Sequence, residues 1–165
     1  MGNLENVYIG CQKIKYGGID LGHTDGGCEF TYTPEYTDIL VDAYGTTVAD
    51  KVLTGEAVTV KVPLAEFTLE RLKSAIPSGT LAGDVLKIGS SPGKRLSTQA
   101  QELVLHPMDK PDEDKSLDIK LHKAVIVNEI ILPFRADEKT VYEVEFLALV
   151  DESNEDGNYL ASIGE

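Results

Sequence analysis

The chain has 165 residues, 42% of them hydrophobic, and a formal net charge of −13. That length suits one domain with a real core, and the charge speaks against a protein that grips nucleic acid, because phosphate binding needs clustered Lys and Arg. No apolar run approaches the ~20 residues of a membrane-spanning helix.

From the N-terminus, Val7, Ile9 and Cys11 alternate with Tyr8 and Gln12, which reads as a first strand within residues 4–15. MGNLEN offers no basic-then-apolar leader, and Asn6 stands where a lipid-attachment motif wants Ser or Thr. YGGIDLGHTDGG, residues 16–27, carries five glycines and reads as a tightly turned connection. Glu29–Thr33 and Tyr36–Ala43 then alternate on either side of Pro34, an edge or break. Tyr36–Val62 is expected to be one long hairpin with a polar tip at Gly45–Lys51. Its core face would be Ile39, Val41 and Ala43 with Val58, Val60 and Val62. Its other face would be Asp38, Leu40 and Asp42 with Thr59 and Lys61. Such a hairpin outreaches a compact domain, and its tip is a contact point for something else.

Pro63 is expected to end the pairing. The period then changes from two to that of a helix over about 68–76. Leu69, Leu72 and Ile76 form the apolar stripe and core anchors, Thr68 the N-cap, and Phe67 with Leu72 a hydrophobic staple. Leu81–Ile88 and Gln99–Pro107 read as strands, the latter with Leu103 and Leu105 inward. Residues 108–118, MDKPDEDKSLD, read as a mobile charged loop. A second long hairpin, Ile119–Leu132 with Thr140–Val150, flanks Arg135–Lys139. On its return strand Tyr142, Val144, Phe146, Ala148 and Val150 share one side, and Glu143 and Glu145 lie on the other. The last fifteen residues read as an acidic tail or loop. The whole is a single mainly-β domain, residues 1–165, a β-sandwich or barrel-like body with one short flanking α-helix, two long hairpins and a flexible N-terminus.

Chemical motifs fall short of their rules. Gly89…Gly93-Lys94-Arg95 has three residues where a phosphate loop needs four, and Arg where it needs Ser or Thr. Glu152, Asn154 and Asp156 start like a calcium loop, but position one is Glu and position twelve is Ile163. Cys11, His23, Asp25 and Cys28 are metal-ligand types without the paired spacing of a zinc site. The cysteines are expected to be unpaired, in a protein made in a reducing compartment. Ser90 and Ser91 sit in a loop without the strained nucleophile motif, and His106 and His122 lie on expected strands. No catalytic, cofactor or metal residue is assigned. Three classes stay open: a self-assembling structural protein, a monomeric acidic β-module binding a ligand through the 16–27 or 108–118 loops, and a small hydrolase using its carboxylates.

VDAYGTTVADKVLTGEAVTVKVPLAEFTLERLKSAIP, residues 41–77, resembles phage tail tube proteins, in which a Val-rich strand runs into P-L-A-E, an aromatic residue, T-L-x-x-L and a short helix ending in Pro. GKRLSTQAQELVLHP, residues 93–107, and the final hairpin are similar to that family as well. The resemblance implies six subunits per ring, rings stacked into a hollow tube in a virion tail assembled in the host cytoplasm, and two hairpins per subunit joining neighbours around the lumen. It also implies tail sheath, tape measure and baseplate proteins as partners, and DNA passing without specific binding. Tubes of contractile and non-contractile tails, of tailocins and of type VI secretion share the architecture. A wall that lets DNA slide should be acidic, which makes Asp38, Asp42, Glu143 and Glu145 the expected lumen-lining residues, tempered by Lys61 and Lys120.

Overall fold

The structure is a computed structural model that describes residues 2, 7–89, 92–155 and 157–164. Asn6, Ser90, Ser91 and Asp156, which figure in the lipid, serine and calcium readings, lie outside those residues, as does most of the N-terminus expected to be flexible. Among the described residues ten strands and one α-helix follow in the order β1 (Gln12–Tyr16), β2 (Ile19–Asp20), β3 (Glu29–Leu40), β4 (Val48–Leu64), α1 (Leu69–Ala75), β5 (Thr80–Ala82), β6 (Val85–Lys87), β7 (Gln101–Pro107), β8 (Ile119–Ile126), β9 (Tyr142–Ala148) and β10 (Ala161–Ile163). The mainly-β class with one short helix holds.

Eight strands form one antiparallel sheet in the order β2-β1-β7-β8-β9-β4-β3, with β10 on β8; β5 and β6 make a separate hairpin. The sheet is rolled, as a simple distance argument requires. Leu21 continues the β2 edge by donating its amide to Ile14 O at 2.9 Å. Thr24 bridges to Leu64 on the far side of β4 from β9. Six strand spacings separate those edges, roughly 29 Å in a flat sheet, whereas three residues span at most about 10 Å. The two edges must therefore meet, and Ala65 N to His23 O at 2.9 Å with Asp25 N to Pro63 O at 3.0 Å fasten them.

Inside the roll lie Ile14 and Tyr16 of β1, Val58, Val60, Val62 and Leu64 of β4, Leu103 and Leu105 of β7, Leu121 of β8, and Tyr142, Val144 and Phe146 of β9, all buried. The rows of β1, β4, β7 and β9 have a period of two, as a sheet with one covered face demands; on β8 a register shift against β7 breaks the period, and Leu121 and Ala124 are both buried. The Tyr16 ring meets Phe146 with centroids 5.0 Å apart, and its hydroxyl donates to Ala124 O at 3.1 Å. The buried phenol thus keeps a partner.

Several elements differ from expectation. The first strand begins at Gln12, while Val7, Ile9 and Cys11 are exposed. The glycine-rich connection hides a tight hairpin: Gly17 and Gly18, at φ of 57° and 81°, link Tyr16 to Ile19, the double left-handed geometry that favours a two-residue turn between twisted strands. Pro34 stays inside β3 because β3 is the edge strand, where a missing amide costs no ladder bond. Pro63 does not end β4 but faces Glu143 across the ladder. Leu81–Ile88 is two short strands about a turn at Gly83, not one. The second hairpin stops being regular at Ile126 and resumes only at Tyr142. Between them the Asn128 side chain donates to Glu143 O at 2.8 Å and accepts from Glu145 N at 2.8 Å, replacing ladder bonds with side-chain ones. The expected acidic tail returns as β10, with Ala161 to Ile163 facing Leu121 to Ile119.

Helix α1 starts where the cap requires: Thr68 accepts from Arg71 N at 3.3 Å. Its buried residues are Leu72 and Ala75. Leu69, expected as an anchor, opens the helix and is 41% exposed; Ile76 follows the last turn as a half-buried C-cap. Phe67 turns its ring onto Phe134, edge to face at 5.7 Å. Tyr142 donates its hydroxyl to Glu66 O at 3.0 Å, and the Glu66 carboxylate holds Arg71 and the His23 amide, so the segment entering the helix is tied both to β9 and to the closing seam. Leu72→Ala should destabilise the fold by about 2–5 kcal/mol, and Leu69→Ala by less than about 1 kcal/mol, as measured by chemical denaturation. Equal losses would mean that both leucines are packed alike.

Candidate functional site

The longest strand, β4, serves two environments. From Val58 to Leu64 its alternate residues fill the core, whereas every residue from Glu35 through Thr54 is exposed on both faces. The distal parts of β3 and β4 therefore leave the body as a two-stranded arm of roughly 20 Å, at about 3.3 Å per residue. At its end, residues Asp42–Tyr44 form a single 3₁₀ turn, and Gly45 takes a φ of 62°. The tip is thus Val41–Thr47; Asp50 and Lys51 of the expected tip belong to the strand.

Register decides what each face of the arm carries. Phe30 opposes Val60 and Tyr32 opposes Val58, so even-numbered β3 residues share the core side of the sheet. Thr54 and Ala49 of β4 are bulged out, which keeps that row in phase: Pro34 faces Glu56, Tyr36 faces Leu53, Asp38 faces Lys51 and Leu40 faces Val48. The opposite row holds Thr31, Thr33, Glu35, Thr37 and Ile39 with Thr59, Ala57, Gly55, Val52 and Asp50. Ile39 thus lies on the side away from the core, and Asp38 and Leu40 on the core side, the reverse of the expected faces. A register read one residue out of phase flips every side chain.

Past the end of the core the core-side row alternates apolar pairs with charged residues: Tyr36 with Leu53 and Leu40 with Val48 stand on either side of the Asp38–Lys51 ion pair. Tyr36, Leu40 and Leu53 are 56%, 58% and 47% exposed. At its root, Phe30, Tyr32, Val58, Val150, Leu160 and Ile163 border an open groove of ≈ 460 Å³, with the Tyr32 hydroxyl donating to Glu56 Oε1 at 2.7 Å on the rim. Both long edges of the arm are open among the described residues: β3 is the last strand of the order, and β9 covers β4 only from Thr59 to Leu64. Exposed edges beside exposed apolar pairs mark a surface for strand pairing.

The four residues expected to line a lumen are not brought together. Asp38 lies on the core-side row of the arm and pairs with Lys51 Nζ at 2.6 Å. Asp42 sits in the tip. Glu143 and Glu145 lie on the outer face of β9, opposite Pro63 and Lys61, and Glu29 flanks Lys61 on its other side. An acidic outer face therefore rests on Glu29, Glu143 and Glu145 against Lys61, while Asp38 belongs to the other surface.

The remaining polar groups mostly bind one another. Among the described residues no three His, Cys, Asp or Glu side chains are placed to hold a metal ion. Asp25 pairs with Lys139 at 3.0 Å, and His23 Nε2 lies 3.8 Å from Glu66. Cys11 and Cys28 are both free, and burial pushes the Cys28 thiol up to about 11, so it is a protonated, weak nucleophile at neutral pH. The 108–118 loop, expected to be mobile, is tethered at several points. Lys110 and Ser116 converge on Asp114, whose carboxyl is held down to about 2 by the Ser116 hydroxyl first and Lys110 next. His106, on the outer row of β7, meets Asp118 at 2.6 Å. That contact was invisible in sequence, because the two residues stand twelve positions apart, at either end of the loop. A cleft of ≈ 550 Å³ opens between this loop and the glycine-rich connection, bordered by Asp20, His23, Arg71, Met108 and Lys110.

Replacing Tyr36 and Leu53 together by Ser should change the stability of the dispersed subunit by less than about 1 kcal/mol, the scale of one exposed cross-strand pair. A loss of several kcal/mol on denaturation would show that the arm packs within its own subunit. Compared with models of protein families and with curated proteins, the chain matches none.

Proposed function

We propose that this chain is a structural, self-assembling subunit: its arm pairs with neighbouring copies to close a ring, and rings stack into a tube of the phage-tail kind that conducts DNA. The observation that carries the reading is the arm from Glu35 to Thr54, exposed on both faces, apolar along Tyr36, Leu40 and Leu53, and open along both strand edges. An isolated two-stranded ribbon is marginal in water. Closing such ribbons edge to edge around a ring removes every open edge at once. The resemblance of residues 41–77 to tail tube proteins points the same way, and six copies per ring, a virion location and partners at the tube ends come from that resemblance. On this reading the acidic wall is the outer face carrying Glu29, Glu143 and Glu145, where like charge keeps DNA from adhering.

One observation favours a second reading, a monomeric ligand-binding module: the ≈ 550 Å³ cleft joins the two loops that such a module would use. Assembly state separates the readings. Negative-stain microscopy of the concentrated protein should show rings or tubes, and Tyr36→Ser with Leu53→Ser should abolish them while the subunit stays folded. Featureless monomers at every concentration would overturn the tube and leave the binding module.

A further inference from the structure

His106 points away from the core row of β7, since Leu103 and Leu105 take the inner positions, yet it is only 8% exposed. What covers it is the 108–118 loop. Both of its ring nitrogens face acceptors: Nδ1 lies 2.6 Å from Asp118 Oδ1, and Nε2 lies 3.4 Å from the Lys110 carbonyl. A neutral imidazole carries one N–H and satisfies only one of these, turning a lone pair toward the other; the imidazolium donates to both. The two acceptors stand at opposite ends of the loop, so one charged ring pins it twice. We propose that His106 is a doubly protonated latch that holds the 108–118 loop against the outer face of the sheet, and that losing one proton releases the loop.

The surrounding charges are mixed. Lys13 stands directly across the ladder from His106 and reaches Asp112 at 3.5 Å, Lys15 is the next outward residue of β1, Glu102 comes from β7, Lys110 and Lys115 from the loop, and Lys120 from β8. Asp118 is the carboxylate in contact. The imidazolium is favoured first by the Asp118 hydrogen bond, against the opposing effect of burial, and further by the Lys110 carbonyl and the charges of Asp118 and Asp112. The sign follows. A histidine raised in the latched state contributes its full stabilisation below the ordinary value near 6.5, and that contribution fades as pH rises through the latched value. Opening would uncover the ≈ 240 Å³ cavity between the loop and the outer row, bordered by Lys13, Lys15 and Glu102.

Nitrogen NMR shifts of His106 and amide exchange in the loop test this directly. His106 should be an imidazolium at pH 6.5 and titrate above an ordinary histidine. The protection factors of the Asp114 and Asp118 amides, which bond to Pro111 O and Lys115 O within the loop, should fall by up to tenfold per pH unit over that titration. Those of β9 should hold. Asp118→Asn, which keeps an acceptor but removes its charge, should lower the midpoint, and His106→Gln should make loop protection independent of pH. A neutral tautomer at pH 6, or loop protection unchanged through the His106 midpoint, overturns the latch. If His106→Gln fails to fold, the wild-type titration decides alone.

Discussion

The fold depends on the seam at residues 21–24. Leu21 extends one end of the strand order and Thr24 joins the other, so a short run of chain closes the sheet around its own core. A sheet with one apolar face has to bury that face, and a chain of this length with one short helix cannot cover it with a helical layer. Rolling supplies the cover from the sheet itself. The seam is reinforced by charge and by chain: Glu66 binds the His23 amide and Arg71, and its carbonyl receives the Tyr142 hydroxyl, so the closing segment, the helix entrance and β9 share one knot.

The arm has a different origin. Strand length runs along the roll and not around it, so the outer parts of β3 and β4, longer than the strands beside them, run past its end and are exposed from Glu35 through Thr54. Their pairing is nonetheless set from the base, because Phe30 opposite Val60 and Tyr32 opposite Val58 lock the register in the body, and the two bulges carry it outward with added twist. The result is a ribbon that carries Tyr36, Leu40 and Leu53 on its core side and, among the described residues, leaves both strand edges open.

Charge follows the same division. The chain is strongly acidic, yet its carboxylates divide between the two sides of the sheet: Asp38 of the arm lies on the core side, whereas Glu35 and Asp50 of the arm share the outer side with Glu143 and Glu145 of β9. Asp38 is matched by Lys51, whereas Glu143 and Glu145 share their face with Glu29 and a single lysine in that row, Lys61. Among the described residues the one buried polar side chain, His106, is held by a loop and not by the core.

Much of this was legible in the chain itself. Alternation over Val58–Val62, over Leu103 and Leu105, and from Tyr142 to Ala148 found core strands, because a half-buried strand writes its faces into every second residue. Thr68 and the change of period found the helix, because a cap and a stripe are local features. The tertiary structure alone decided the rest. Leu69 repeats the stripe but lies where the fold leaves it uncovered. Ile39 alternates as a core residue would, but neither its phase nor its distance from the core is local information. Pro34 and Pro63 look like breaks until their place at a strand edge and in a seam is known. His106 and Asp118 meet only because a loop folds over the sheet. Periodicity records which residues share a face; which face is inside, and where the inside ends, depends on partners far away in the chain.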